Sequence, residues 1–301
     1  MTTHNPLVDG LRVGVQLPEV ERDVRWPEYR DMAQTADDLG FDSLWLGDHL
    51  LYRGDGRPER GPWEAWTLLS AIGACTRHIE LGPLVACLGF HPAAVIAKLA
   101  ATVDEVSNGR LVLGVGAGWN EVEYNAFGLP FDRRAARFEE SFDIVHALVN
   151  CQRITFTGEF NSVDDVVLLP RPNRPIPTMV GSLGERVLRH SLGRVEWWNT
   201  WFDWFGNTPD GFAVENERIS RIAVEVGREP STLKRSACLL VDVVPGATER
   251  PTPKDYAAIP LGELATTLSR MRDVGADEVI LVCNPIDESS IRSVARALGR
   301  T

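Results

Sequence analysis

Lysine is almost missing from this chain. Of its 31 basic residues only Lys98, Lys234 and Lys254 are lysines, and 42 acidic residues leave a formal net charge of −11. That balance excludes the basic footprint of a nucleic-acid binder. It also disfavours an anionic membrane surface. Long apolar runs are missing as well, so nothing reads as a span of a bilayer. Met1 to Gly10 lacks the basic start and apolar run of a signal peptide, so the expected compartment is the cytoplasm. Cysteines are few and scattered, at 75, 87, 151, 238 and 283, with no CxxC pair. Zinc ribbons and thioredoxin-type dithiols are thereby excluded, and the thiols read as reduced and mostly buried. There is no HExxH, no carboxylate cluster with ligand spacing, no GxSxG and no Walker loop. The expected metal content is therefore none, and a hydrolase elbow has no support.

What is present is ordinary in composition, at 44% hydrophobic and 24% charged over 301 residues. Short apolar runs alternate with longer amphipathic ones. Strands are expected at 11–17, 42–46, 79–85, 110–115, 177–180, 195–198, 236–244 and 278–282. Helices are expected at 28–39, 63–76, 92–106, 133–149, 185–192, 211–226, 261–274 and 289–298. Residues 153–169 break the rhythm as an inserted hairpin around Thr157-Gly158-Glu159, and Pro170 to Pro177 returns the chain to the frame. Eight strand–helix units of this length predict an α/β (β/α)8 barrel. It would be one domain over 1–301, with an insertion at about 151–176 between the fourth helix and fifth strand. An open doubly wound sheet is the alternative. Against it, Leu17-Pro18-Glu19-Val20 behind the first strand is no GxGxxG phosphate cradle.

In a barrel the site lies at the C-terminal ends of the strands. There the second strand runs into Gly47-Asp48-His49, the third into Val85-Ala86-Cys87, the fourth into Gly114 to Glu121 and the fifth into Gly181-Ser182-Leu183-Gly184. His49 is the candidate for proton transfer near neutral pH, with Asp48 expected to orient its imidazole. A histidine that only bonds a loop is the alternative. Gly114-x-Gly116-x-Gly118 is no dinucleotide fingerprint, but glycines there allow a flat ligand close approach. Gly181 to Gly184, opening a helix, suits a phosphate. Nine tryptophans are many, and Trp197, Trp198, Trp201 and Trp204 cluster. Some of that cluster is expected at a pocket mouth or a subunit interface.

Gly40 to His49 resembles the second strand of the bacterial luciferase-like flavin-dependent oxidoreductases. Glu80 to Val85 is similar to their third strand, and Gly109 to Glu121 to their fourth strand and loop. Phe127 to Phe131, Arg133 to Glu140, Leu168 to Pro172 and Val180 to Gly184 follow in the family's order. The resemblance covers roughly residues 11–298. Asp48-His49 with Gly116-Ala117-Gly118-Trp119 is most similar to the branch that uses the deazaflavin coenzyme F420. The resemblance implies a TIM barrel with the cofactor ring over the mouth, backed by a non-proline cis peptide at Leu84–Val85. Its phosphate would lie at Gly181, Ser182, Leu183 and Gly184. Leu84, Val85, Ala86, Gly116, Gly118 and Trp119 would line the ring, and His49 would stand near its reactive carbon. Pro83 and Ala86 replace threonines common in the family, and Ser182 replaces a glycine of the phosphate loop. Trp119 stands where the sugar-phosphate dehydrogenase branch has a carboxylate, so sugar-phosphate oxidation is not expected.

The expected function is therefore hydride transfer between coenzyme F420 and a small organic substrate. The alternatives are an FMN-dependent monooxygenase served by a flavin reductase, and a cofactor-poor barrel without turnover. The resemblance also implies a homodimer built on the early helices. Trp63 and Trp66, three apart and so on one helical face, add to that expectation.

Overall fold

A computed structural model of the chain describes residues 10–247, 249–250 and 257–300. His4 and Lys254 lie outside the described residues. In chain order the strands are β1 (Arg12–Gln16), β2 (Ser43–Leu46), β3 (Glu80–Pro83), β4 (Ala86–Cys87), β5 (Leu113–Gly116), β6 (Ile154–Thr157), β7 (Ser162–Val166), β8 (Thr178–Gly181), β9 (Trp197–Thr200), β10 (Lys234–Asp242), β11 (Ile259–Pro260) and β12 (Glu278–Asn284). The helices are α1 (Trp26–Asp38), α2 (Ala65–Cys75), α3 (Ala93–Val106), α4 (Glu121–Ala126), α5 (Arg134–Val149), α6 (Glu185–Ser191), α7 (Pro209–Glu225), α8 (Leu264–Asp273) and α9 (Glu288–Ala297).

The strands run parallel in the order β3-β2-β1-β12-β10-β9-β8-β5-β4. β3 and β4 are two halves of one position, parted at the cis peptide Leu84–Val85. A parallel bridge between Leu81 and Leu111 joins the two ends of that order. The result is the (β/α)8 barrel that the alternation predicts. β6 and β7 stand apart as an antiparallel hairpin between α5 and β8. Glu140 on α5 holds the hairpin, its carboxylate accepting the N–H groups of Glu159, Phe160 and Asn161 at 2.7–2.8 Å.

The barrel is filled by side chains, so it is a core and not a pore. At its foot the buried carboxylate of Glu278 accepts hydroxyls from Ser43 (2.7 Å) and Ser236 (3.1 Å) and faces Arg12 at 3.5 Å. Trp45 is buried beside it, its Nε1 donating to Ser43 Oγ at 2.8 Å. The indole needs space that only glycine leaves. A Cβ at Gly82 would meet the Val112 carbonyl oxygen at 2.1 Å and Trp45 Cζ3 at 2.8 Å. Gly82→Ala is expected to destabilise the fold by about 1–3 kcal/mol through overpacking. The check is the urea midpoint, which should fall with an unchanged slope.

Two expectations meet a different geometry. Trp63 precedes α2 rather than lying on it, because Glu64 caps the helix by accepting the N–H groups of Trp66 and Thr67. Trp66 is buried, while Trp63 is 51% exposed and donates its indole N–H to the Val24 carbonyl. The two therefore share no helical face. The short helix α4 also has no counterpart in the sequence reading, which has a loop there.

Candidate active site

The C-terminal strand ends open on a cavity of about 780 Å³. Asp48, His49, Leu84, Val85, Gly116, Gly118, Trp119 and Gly181 to Gly184 all line it. Ala86 does not. It is fully buried in the ladder opposite Val115, one residue beyond the cis peptide.

His49 leaves the end of β2, where Leu44, Trp45 and Leu46 are buried and carry the chain to the mouth. Its Nδ1 lies 2.9 Å from Glu123 Oε1, so the carboxylate that fixes the imidazole is Glu123 and not Asp48. Glu123 is almost fully buried on α4, and its other oxygen accepts the N–H groups of Leu50 (2.8 Å) and Leu51 (3.4 Å). On the opposite side His49 Nε2 is 3.8 Å from Glu19 Oε1, which accepts the Tyr52 hydroxyl at 2.8 Å. Gly47 makes room for that carboxylate, since a Cβ there would meet Glu19 Oε2 at 2.0 Å. The Tyr52 and Trp119 rings stand 4.8 and 5.6 Å from the imidazole.

Burial opposes a charge on His49. The charge of Glu19, the hydrogen bond and charge of Glu123, and the charge of Asp48 outweigh it and push the imidazole up to about 9. At neutral pH the ring is an imidazolium held between two carboxylates. Asp48 works elsewhere. Its Oδ2 accepts the Cys87 N–H at 2.8 Å, which ties the end of β2 to β4 just past the cis peptide. Burial raises its carboxyl to about 7, against the lowering effect of that bond and of His49. Cys87 Sγ lies 2.8 Å from the buried Tyr124 hydroxyl, and burial pushes the thiol up to about 12, so it is no nucleophile.

Val85 forms an apolar shelf under the cavity and fits into a hollow that glycines make. A Cβ at Gly116 would come within 2.7 Å of Val85 Cγ2, and one at Gly181 within 2.9 Å of Cγ1. Beyond β8, the carbonyls of Ser182 and Leu183 accept from Trp198 Nε1 (3.1 Å) and Arg218 Nη2 (3.2 Å). Those carbonyls are taken by groups behind the loop and the Gly184 N–H donates to Ser182 Oγ at 3.0 Å, so the other backbone N–H groups and the Ser182 hydroxyl are what such a loop offers an anion. Opposite lie Trp201 and Trp204, while Trp197 and Trp198 are buried, so the tryptophan cluster divides between core and mouth. Arg250 pairs with Glu21 and lies over the Trp201 ring at 5.6 Å. A flat, three-ring cofactor with a phosphate tail fits these residues: an apolar shelf, glycine-walled approach and a turn at a helix start.

Sequence reasoning missed Glu19, Tyr52, Glu123 and Arg250. A signal existed for two of them. Glu19 lies three residues beyond the first strand, and Glu123 one helical turn beyond Trp119-Asn120, both at mouth positions for a barrel.

The profile of the luciferase-like monooxygenase family matches residues 11–252. The F420-dependent glucose-6-phosphate dehydrogenase of Nakamurella multipartita is 37% identical over 175 residues, which is 56% of this chain and 50% of that protein. Pyrimidine monooxygenase RutA of Yersinia enterocolitica is 31% identical over 174 residues, 56% of this chain and 47% of that protein. The chain thus spans about half the length of these curated relatives. Among solved structures, an F420-dependent secondary alcohol dehydrogenase in complex with an F420-acetone adduct superposes with a TM-score of 0.79. It has 18% identity and covers 97% of this chain and 99% of that one, a likeness of fold. With the barrel, the Leu84–Val85 cis peptide and the matched profile in hand, the chain belongs to the luciferase-like monooxygenase family.

Proposed function

We propose that this protein is an oxidoreductase that uses coenzyme F420 to move a hydride to or from a small organic substrate. The observation that carries the reading is His49, fixed through Nδ1 by Glu123 at the wall of a cavity floored by Val85. The match to a relative named for F420 supports it. In this reading Leu84, Val85, Gly116 and Gly118 hold the cofactor ring, with Ala86 anchoring the shelf from the ladder. Gly181, Ser182, Leu183 and Gly184 hold its phosphate, and Trp119 closes the edge where ring and substrate meet. The bound deazaflavin supplies the hydride chemistry.

The protein's own part is positioning and proton control. Glu123 fixes the imidazole through Nδ1, so that Nε2, 3.8 Å from Glu19 Oε1 and beyond hydrogen-bond length of it, is the ring nitrogen left to meet a substrate. As an imidazolium, His49 donates from Nε2 to a substrate oxygen that gains negative charge, and it takes the proton back in the reverse direction. Asp48 keeps β2 and β4 in register around the shelf. Tyr52 and Glu19 hold the far side of the imidazole and keep its charge. A homodimer in the cytoplasm belongs to the same reading.

A second reading, an FMN-dependent monooxygenase fed by a separate flavin reductase, is favoured by the match to RutA. Titration with F420 and with FMN, followed by tryptophan fluorescence, separates the two, because Trp119, Trp201 and Trp204 line the cavity. Quenching by F420 alone is the expected result. Quenching by FMN alone would overturn the first reading for the second, and quenching by neither would leave a barrel without cofactor.

A further inference from the structure

The charges and rings at the mouth differ from what a sugar phosphate needs. A phosphate dianion is held by several converging cations or N–H donors. Among the described residues the arginines lining the cavity are Arg57 and Arg250. Arg250 is committed to Glu21 and to the Trp201 face. The only other cation there, the His49 imidazolium, is enclosed by Glu19 and Glu123. Asp203 adds a further carboxylate to the same wall. One open arginine facing that many acids makes a poor seat for a dianion.

Apolar ring surface is what the mouth has in excess. Trp119 is 62% exposed and Trp204 is 42% exposed, both on the cavity wall. Tyr52 stands 6.0 Å from Trp119 and edge-on to it, and Trp201 and Phe202 tilt against each other at 4.5 Å opposite. Ring surface gathered on the wall of a cavity, as with Tyr52, Trp119, Trp201 and Trp204 here, marks a binding site. Between the two aromatic sides His49 Nε2 lies 3.8 Å from Glu19 Oε1, beyond hydrogen-bond length, and remains a donor for a single oxygen.

We infer that the substrate is an uncharged, flat, ring-bearing ketone or its alcohol, held face-on or edge-on by Trp204 and Trp119 with its oxygen toward His49 Nε2. This rests on the F420 reading and narrows it to a substrate class. It sets this chain apart from its relatives named for glucose 6-phosphate.

The test is isothermal titration calorimetry of the protein with F420 bound, using 1-acetonaphthone, acetone and glucose 6-phosphate as probes. 1-Acetonaphthone is expected to bind at least about tenfold more tightly than either other probe, since ring contact adds to apolar burial. Trp204→Ala should remove most of that preference, and Trp204→Phe should restore part of it. The F420 affinity of both variants should stay within about twofold of the parent, which shows that they fold, because Trp204 lies in the turn after β9 while Val85 lies between β3 and β4. Normal F420 binding with glucose 6-phosphate preferred overturns the substrate class and leaves the cofactor reading intact. So does an unchanged 1-acetonaphthone affinity in Trp204→Ala. Failure of the parent protein to bind F420 overturns the cofactor reading and this inference with it.

Discussion

His49→Ala is expected to lower turnover by about 10²–10⁴-fold, the usual contribution of a positioned acid or base. Cofactor affinity should fall far less than turnover, because Val85 and the Gly181–Gly184 loop, the residues that would hold the ring and the phosphate, are left in place. A stability cost accompanies the loss. The imidazolium stands between Glu19 and Glu123, and its removal leaves the buried Glu123 carboxylate with only the Leu50 and Leu51 N–H groups. That cost is about 1–3 kcal/mol. Melting and steady-state kinetics on one preparation distinguish a working group from a structural one. A variant that melts lower but turns over normally in its folded fraction would take His49 out of the chemistry.

Glu123→Gln is expected to act through His49. The folded protein binds the His49 proton more tightly than the unfolded chain does, since the imidazole is raised from 6.5 to about 9. The stability from that charge is therefore whole below pH 6.5 and lost as the pH rises through about 9. Activity that needs the imidazolium should hold its plateau to the same limit and fall above it. The amide of Glu123→Gln removes one carboxylate charge and cannot accept from His49, Leu50 and Leu51 together. Burial then dominates, and the alkaline limb of the pH–rate profile should move down towards neutrality. At pH 8 the turnover should drop by about tenfold or more while the acid side is spared. A uniform loss at every pH would mean that Glu123 only braces α4.

The frame was legible because it repeats. Each barrel strand is a short apolar run, each helix carries a 3.6-residue stripe, and residues 153–169 stand out by breaking the alternation. His49 was legible because the buried Leu44-Trp45-Leu46 run ends just before it. Its partner was not, because Glu123 is 74 residues away and meets it only when β2 and α4 arrive at the same rim. Asp48, its neighbour in sequence, was the natural choice, but the backbone turns that carboxylate towards Cys87. α4 was hidden by its length: six residues, with Val122 set between Glu121 and Glu123 in the first turn, give no stripe to read. Trp63 misled for a related reason. Its spacing to Trp66 suits a helix, but Glu64 caps α2 one residue later.

The divided third strand has a consequence for how this barrel can change. Its lower half, β3, takes its ladder partners from β2, and its upper half, β4, takes them from β5. The ladders of rim and foot thus go to different neighbours, like two short planks laid end to end under separate beams, with the Leu81–Leu111 bridge and the Asp48–Cys87 bond as pegs between them. A residue exchanged in the upper plank shifts the floor of the cavity along with β5 and its glycine loop. The lower plank keeps its footing on β2 and on the Glu278 cluster. The surface under a bound ring is therefore the part of the third strand that can change with least disturbance to the packed base that keeps the protein folded.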